Sequence, residues 1–259
     1  MPFGEFIPTF AFDDNNQKHN TMKKTFLMLF TALFAVYSCG GDDETETTAP
    51  EQQPNTGASV KLCPDDNHPH AIDMGECGVW SCCNVGASKP EEYGSYFAWG
   101  DIAPKGSFEW STYTWGTNYD QLTKYCSQGS WGHEHFTDGK QELDAEDDAA
   151  TADRHAPWRM PSEAQFNKLM SACNPLWTRI NNVYGILFTA SNGNRIFLPG
   201  AGYAEASSIN EAGIHGYYWS RTRCASLSFY AVNLDCSTSE IKCNTNSRYQ
   251  GHTIRPRKE

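Results

Sequence analysis

Gly216-Tyr217-Tyr218-Trp219-Ser220 opens, and Gly251-His252-Thr253-Ile254-Arg255-Pro256 closes, a stretch that reads RTRCASLSFYAVNLDCSTSEIKCNTNSRYQ over residues 221–250. At a period of two, Val232, Leu234 and Cys236 fall on one side and Asn233, Asp235 and Ser237 on the other. Ile241 and Cys243 then alternate with Glu240, Lys242 and Asn244. Successive strand residues point to opposite faces, so the pattern predicts two short half-buried strands joined by a polar bend. One face would anchor in a core while the other displays small polar groups and a few large ones. The expected outward, ligand-contacting set is Arg221, Arg223, Tyr230, Asn233, Asp235, Ser237, Lys242, Asn244, Asn246, Arg248 and Tyr249. Tyr230 is the odd member, because strict alternation turns it inward. Tyr and Arg give the most contact energy per side chain, and Ser and Asn adapt their hydrogen bonds, so the composition suits binding more than catalysis.

The front of the chain says where such a face would be displayed. Met22-Lys23-Lys24 begins a positively charged segment, and 25–37 is an apolar run containing Phe26, Leu27, Met28, Leu29, Phe30, Leu33, Phe34 and Val36. That run is too short to span a bilayer and has the proportions of a signal-peptide core. Ser38-Cys39 follows, then a polar, acidic tract beginning Gly40-Gly41-Asp42-Asp43-Glu44. The arrangement resembles the lipobox of Bacteroides-type lipoproteins, with Tyr37 large for its place. The resemblance implies lipidation at Cys39 and a surface-facing outer-membrane protein. The expected organisation is a mis-assigned extension at 1–21, a lipoprotein signal peptide at 22–38, an acidic flexible linker at 39–58 and one domain at 59–259.

A net charge of −11 argues against nucleic acid and against a basic membrane-surface patch. The abundance of Trp, Tyr and Phe in a chain of mean hydropathy −0.60 predicts a loop-rich domain with an aromatic core. Of ten cysteines, Cys39 aside, nine are left, an odd number with no CxxC spacing. An exported location permits disulfides. Cys63 with Cys77 or with Cys82 is the expected pair, and at least one thiol must stay unpaired within the chain.

Along the body, 71–75 and 78–87 read as strands around a tight turn, and Tyr96-Phe97-Ala98-Trp99-Gly100 as another. Residues 101–140 carry many Gly and Trp and no helical period. A short helix is expected over 143–153, with acids at its front where the helix dipole favours them. A second follows Pro161, with Ser162 and Gln165 forming a capping box and Phe166, Leu169, Met170 and Cys173 an apolar stripe. Asn192-Gly193 marks a hairpin turn between 186–189 and 195–198. The fold class is α+β, with two short helices, short antiparallel strands and long loops.

Several strings together carry a family resemblance: Cys83-Asn84-Val85-Gly86-Ala87, Phe97-Ala98-Trp99-Gly100, Trp158-Arg159-Met160-Pro161, Asn194-Arg195-Ile196-Phe197-Leu198-Pro199, Tyr218-Trp219-Ser220 and the terminal Ile254-Arg255-Pro256. Over about 71–256 the chain resembles the Fibrobacter succinogenes major paralogous domain, a C-type-lectin-like domain of the formylglycine-generating kind. The resemblance implies that fold, with paired terminal strands and loops that build a display face. Some members of the fold are targets of diversity-generating retroelements, which mutate adenines in a C-terminal repeat, and 221–249 is crowded with residues reachable from Asn codons. Glu240 and Lys242 are not reachable in that way. The expected function is therefore binding of a protein or glycan through a hypervariable or ordinary C-terminal face. The rival readings are a formylglycine-generating-type enzyme and a structural envelope or fimbrial component.

No catalytic residue, metal or cofactor is expected. Arg223-Cys224-Ala225 superficially resembles the reactive motif of formylglycine-generating enzymes, but Phe229 stands where a partner cysteine would fall. His68 and His70, or His133 and His135, could start a zinc site, yet no further ligand stands at a recognisable spacing, and surface histidines are the simpler reading. Glu146-Asp147-Asp148 reads as a solvated helix start in preference to a hydrolase pair. Gly200-Ala201-Gly202 lacks the third glycine of a dinucleotide loop. Trp158, Trp219, Tyr203 and Phe197 read as core, and Arg159 and Arg255 as ties between loops and carboxylates.

Overall fold

A computed structural model describes residues 61–259; everything expected over 1–58, Cys39 included, lies outside the described residues. In chain order the strands and helices are β1 (Ala71–Asp73), β2 (Val79–Ser81), α1 (Ala149–Arg154), β3 (Trp158–Arg159), α2 (Glu163–Ala172), β4 (Asn174–Ile180), β5 (Val183–Thr189), β6 (Arg195–Pro199), β7 (Tyr203–Glu205), β8 (Ser208–Asn210), β9 (Gly216–Arg223), β10 (Tyr230–Cys236), β11 (Ile241–Ser247) and β12 (Arg257–Lys258). The described chain is thus α+β, with two short helices and small antiparallel sheets. The sheet orders are β1-β2-β12-β3, β4-β5-β6, β11-β10-β9 and β7-β8. Arg257 of β12 pairs with Trp80 of β2.

Two elements form for local reasons. Ser162 accepts the Gln165 amide at 3.2 Å while the Gln165 side chain accepts the Ser162 amide at 2.8 Å, which satisfies two orphan donors at the start of α2. The face of α2 that carries Phe166 and Leu169 is buried against Trp80, Ile186, Phe188, Leu198, Tyr218 and Leu234. The β5–β6 hairpin turns at Asn192-Gly193, where Gly193 has φ of +84° and Asn192 Nδ2 donates to the Asp73 carbonyl at 3.0 Å. A left-handed residue is what such a bulged hairpin requires, and glycine adopts it without cost.

Elsewhere the local readings need correction. Residues 96–100 do not form a strand: Phe97 makes a single bridge to His252, and the Trp99 amide donates to the Arg248 carbonyl at 2.8 Å. The strand expected over 78–87 stops at Ser81, beyond which the backbone is held by other loops. His133–His135 is a 3-10 turn with Glu134 at φ of +51°, and both imidazoles are solvent-exposed, as surface histidines are. The helix expected over 143–153 splits into a 3-10 turn (Ala145–Asp147) and α1.

The acids at that split are not solvated. Asp148 is fully buried; its carboxylate accepts the amides of Ala150, Thr151 and Met160 at 3.0 Å each and faces Arg159 Nε at 3.4 Å. Burial pushes its pKa up, and those amides and Arg159 pull it back. Asp147 takes the Lys124 ammonium at 2.6 Å and the Tyr125 hydroxyl. Only Glu146 of the three is exposed.

Arg255 is likewise fully buried, but its partners are the Asn84 side chain and the carbonyls of Ser81, Cys82 and Phe197, at 2.8–3.1 Å, and not a carboxylate. It sews the chain end to β2 and β6. Trp219 and Phe197 are core as expected, whereas Trp158 and Tyr203 are only half-buried.

Candidate functional site

The sheet β9–β10–β11 places β10 in the centre, with Asn233 opposite Trp219 on β9 and Asn244 on β11. One face, bearing Tyr218, Leu234 and Cys236, joins the main core. The other face bears Tyr217, Trp219, Asn233, Asp235, Lys242 and Asn244. Loops cover its β9 side, because Trp219 and Ala231 pack with Phe97, Trp99, Tyr125, Met160 and Ile254 in a second core. Solvent reaches mainly the β11 side and the strand ends.

This geometry divides the expected ligand-contacting set. Five members are buried, which corrects the reading of them as outward: Arg221, Arg223, Asn233, Ser237 and Arg248. Four of them have partners that explain it, Asn233 being without one. Arg221 reaches Glu142 at 2.8 Å, Glu259 at 2.7 Å and the Met160 carbonyl at 3.0 Å. Arg223 donates to the Lys140 carbonyl at 3.0 Å and Gln141 Oε1 at 2.8 Å, closing the 140–144 loop onto β9. Ser237 Oγ accepts the amides of Ser239 and Glu240 at 3.3 Å, shaping the β10–β11 bend. Arg248 is fully buried in an aromatic cage, 4.8 Å from the Trp99 ring centroid and 5.3 Å from that of Tyr113. It donates to Tyr113 Oη at 2.7 Å and to the carbonyls of Ser228, Lys124 and Tyr125 at 3.0–3.3 Å. The three arginines hold loop residues 113, 124–125 and 140–142 against the sheet.

The other six, Tyr230, Asp235, Lys242, Asn244, Asn246 and Tyr249, keep contact with solvent. Asp235 accepts His215 Nδ1 at 3.2 Å and faces Asn244 Nδ2 at 3.5 Å. His215 stacks on Tyr217, with centroids 5.6 Å apart and planes at 12°. Tyr217 donates to Glu211 at 2.7 Å and meets Tyr203 edge-on. Toward the far end, Asn246 Nδ2 donates to Gln250 at 3.2 Å, and Tyr249 Oη to Glu205 at 2.6 Å while its ring leans on Trp110. Tyr230 continues the band through Phe229 to Trp131 and Tyr119. Rings, amides and carboxylates thus alternate along a band of half-exposed side chains. Sequence reasoning missed His215, Tyr217, Tyr203, Glu205 and Gln250; the alternation of Tyr217 with Tyr218 was the available signal.

Beneath the band lie polar groups without partners. Among the described residues, both amide atoms of Asn233 and both ring nitrogens of His252 are buried and unpaired. His252 stacks on Trp219 at 3.8 Å between centroids, and burial pulls its pKa down to about 3. Burial, reinforced by neighbouring carboxylates, pushes the Tyr217 and Tyr249 phenols up, so both remain hydrogen-bond donors at neutral pH.

All nine cysteines from Cys63 onward are unpaired. The disulfide expected from Cys63 to Cys77 or Cys82 is therefore not formed: Cys63 lies near Cys82 with both thiols free, and Cys77 meets Cys173, with sulfurs 3.2 Å apart. Burial pushes the thiols of Cys236, beyond the usual range, and Cys243, to about 12, away from the nucleophilic thiolate.

No family model, curated protein or solved structure matches this chain. What the fold and the band define is a class only: an α+β domain with a partly buried, partly displayed C-terminal sheet.

Proposed function

We propose that this protein is a lipoprotein, anchored in the outer membrane through Cys39 and facing the cell surface, whose C-terminal domain binds a protein or glycan through the band formed by Tyr217, Tyr230, Asp235, Asn244, Asn246 and Tyr249. In this reading the domain has the C-type-lectin-like fold of the Fibrobacter succinogenes major paralogous domain. The observation that carries it is the split within one segment. Arginines and Asn233 turn inward, while tyrosines, amides and a carboxylate gather on the solvent side. Rigid tyrosines flanked by adaptable amides make up a binding surface of the kind antibody loops present. The same split restricts any diversification of 221–249 to the outer set, since changing a buried arginine would cost the domain much of its stability. A formylglycine-generating-type enzyme fits less well, because Cys236 is buried and Cys243 half-buried, both with raised pKa values. A structural envelope role has no particular residue in its favour.

The test is capture of surface proteins and glycans by the full chain, compared with a variant carrying Asp235→Ala, Asn244→Ala and Tyr249→Ala and with a control, Leu176→Ala, on an exposed residue of β4. Retention by wild type and control but not by the triple variant supports the proposal. Equal retention by all three would remove the band from recognition.

A further inference from the structure

The segment 61–70 has no regular secondary structure, and Cys63 is its one buried side chain. Something must nevertheless hold it, because an irregular loop gains little from burying one small residue. Its fixed points converge on Cys82, just past the end of β2. The Cys82 amide donates to the His70 carbonyl at 3.0 Å, and the His70 amide donates to Cys82 Sγ at 2.9 Å. His68 Nδ1 lies 3.5 Å from the same sulfur. The sulfurs of Cys63 and Cys82 and a ring nitrogen of His68 all fall within 4.8 Å of one another. Zinc bonds to sulfur at about 2.3 Å and to imidazole at about 2.0–2.1 Å, so tetrahedral ligand atoms stand roughly 3.5–3.8 Å apart. The His68–Cys82 separation of 3.5 Å is already at that spacing, and the other pairs lie within 4.8 Å.

A second cluster serves as a contrast. Asp144, Glu146 and Asp147 also converge, but the Lys124 ammonium sits among them at 3.1, 3.1 and 2.6 Å and takes the cation's place. Among the described residues no Lys or Arg nitrogen is hydrogen-bonded to the donor atoms of Cys63, His68 or Cys82, Arg255 reaching the Cys82 carbonyl and not its sulfur; the donors are soft, two sulfurs and an imidazole, the set that selects zinc among abundant divalent ions. An amide donating to a ligating sulfur is the outer support that such sites use.

We propose that Cys63, His68 and Cys82 bind one Zn2+ ion, which staples the 61–70 segment to the end of β2. Cys63 and His68 both line a cleft of about 780 Å3 that also bears Asp65, Asp66 and Glu91. The fourth coordination position opens toward it and takes water. His70 is not a ligand; its ring is held by Asp65 at 3.0 Å. The proposal is independent of the ligand-binding band, and it replaces the sequence-based expectation of no metal. The spacing hid it, since the third ligand stands fourteen residues after His68, across the β1–β2 hairpin.

The full chain, purified with a reductant and stripped with a chelator, is titrated with Zn2+ alone. One equivalent should bind, and Cys63→Ser, His68→Gln and Cys82→Ser should each weaken binding by about 100-fold or more, given that even supporting residues around a metal are worth 10–100-fold. Cys77→Ser, at a buried cysteine outside the trio, should bind as wild type does. Co2+ in place of Zn2+ on the unmutated chain should show sulfur-to-metal charge-transfer bands, which reads the ligand chemistry even if a variant fails to fold. Absence of those bands, or equal Zn2+ uptake by every variant, overturns the site. So does a Cys63–Cys82 disulfide in protein taken from cells that, once reduced, takes up no Zn2+.

Discussion

Replacing Arg248 by alanine is the sharpest perturbation of the C-terminal segment, because its neighbour Tyr249 sits on the band while Arg248 is fully buried. The guanidinium makes four hydrogen bonds, one to Tyr113 Oη and three to carbonyls of loops 124–125 and 228. Hydrogen bonds to a charged donor are worth about 1.5–3 kcal/mol each, and a buried acceptor left without a partner costs about 1–3 kcal/mol. Water entering the vacated cage recovers part of this, so a net loss of about 4–5 kcal/mol is expected, at the top of the range for single substitutions. Total stabilities of single domains are about 5–15 kcal/mol, so the variant stands near the edge of folding. For a domain of this size each kcal/mol moves the midpoint by about 2–4 °C, giving a drop of roughly 8–20 °C. Thermal and urea unfolding of Arg248→Ala beside Tyr249→Ala measures it, with Tyr249→Ala expected to shift stability by no more than about 1 kcal/mol. A loss under about 1 kcal/mol for Arg248→Ala would refute the cage as a structural element and return Arg248 to the ligand-contacting set.

Three further outcomes follow from the same geometry. Trp219→Ala, which removes the hydrogen bond to the Phe97 carbonyl at 2.8 Å and the stack on His252, should cost about 3–5 kcal/mol in urea unfolding. His252 has a folded pKa depressed to about 3, so the unfolded chain takes the proton first and this residue's contribution falls away as pH drops below about 6.5. At pH 5 the loss from this group should be about 2 kcal/mol relative to pH 7 or above. His252→Phe should abolish that component of the pH slope without destabilising the neutral-pH fold, and an unchanged slope would show that His252 does not carry it. On the proposed anchoring through acyl chains at Cys39, Cys39→Ala should release the protein from membranes into the soluble fraction; a variant that stays membrane-bound has another anchor.

Where a structural decision was local, the residues disclosed it. Ser162 and Gln165 cap α2 with no help from the rest of the chain, and Asn192-Gly193 turns β5 into β6. The alternation in 232–236 did mark a strand, and its apolar side did enter the core. What alternation could not disclose is that β10 is central and that the 97–99 and 248–254 segments close over its other face. Asn233 was therefore read as outward when it is buried. The arginines misled for a related reason. A guanidinium offers five donors, and in a domain with long loops the carbonyls it satisfies come from far along the chain, 123–135 residues away for Lys124, Tyr125 and Tyr113 around Arg248. No pattern near Arg248 encodes that cage. Asp148 likewise reads as a surface acid until its position as the cap of α1, shared with the Met160 amide, is seen.

The central claim is that residues 221–249 divide into a buried half that folds the domain and an outer half free to vary for recognition. Saturation mutagenesis of the segment in the full chain, scored by resistance of each variant to proteolysis at the cell surface, tests it most directly. Intolerance should fall on Arg221, Arg223, Asn233, Ser237 and Arg248, and broad tolerance on Asp235, Lys242, Asn244, Asn246 and Tyr249. Broad tolerance at the arginines together with intolerance at the outer set would contradict the division, and with it the assignment of the band as the binding face.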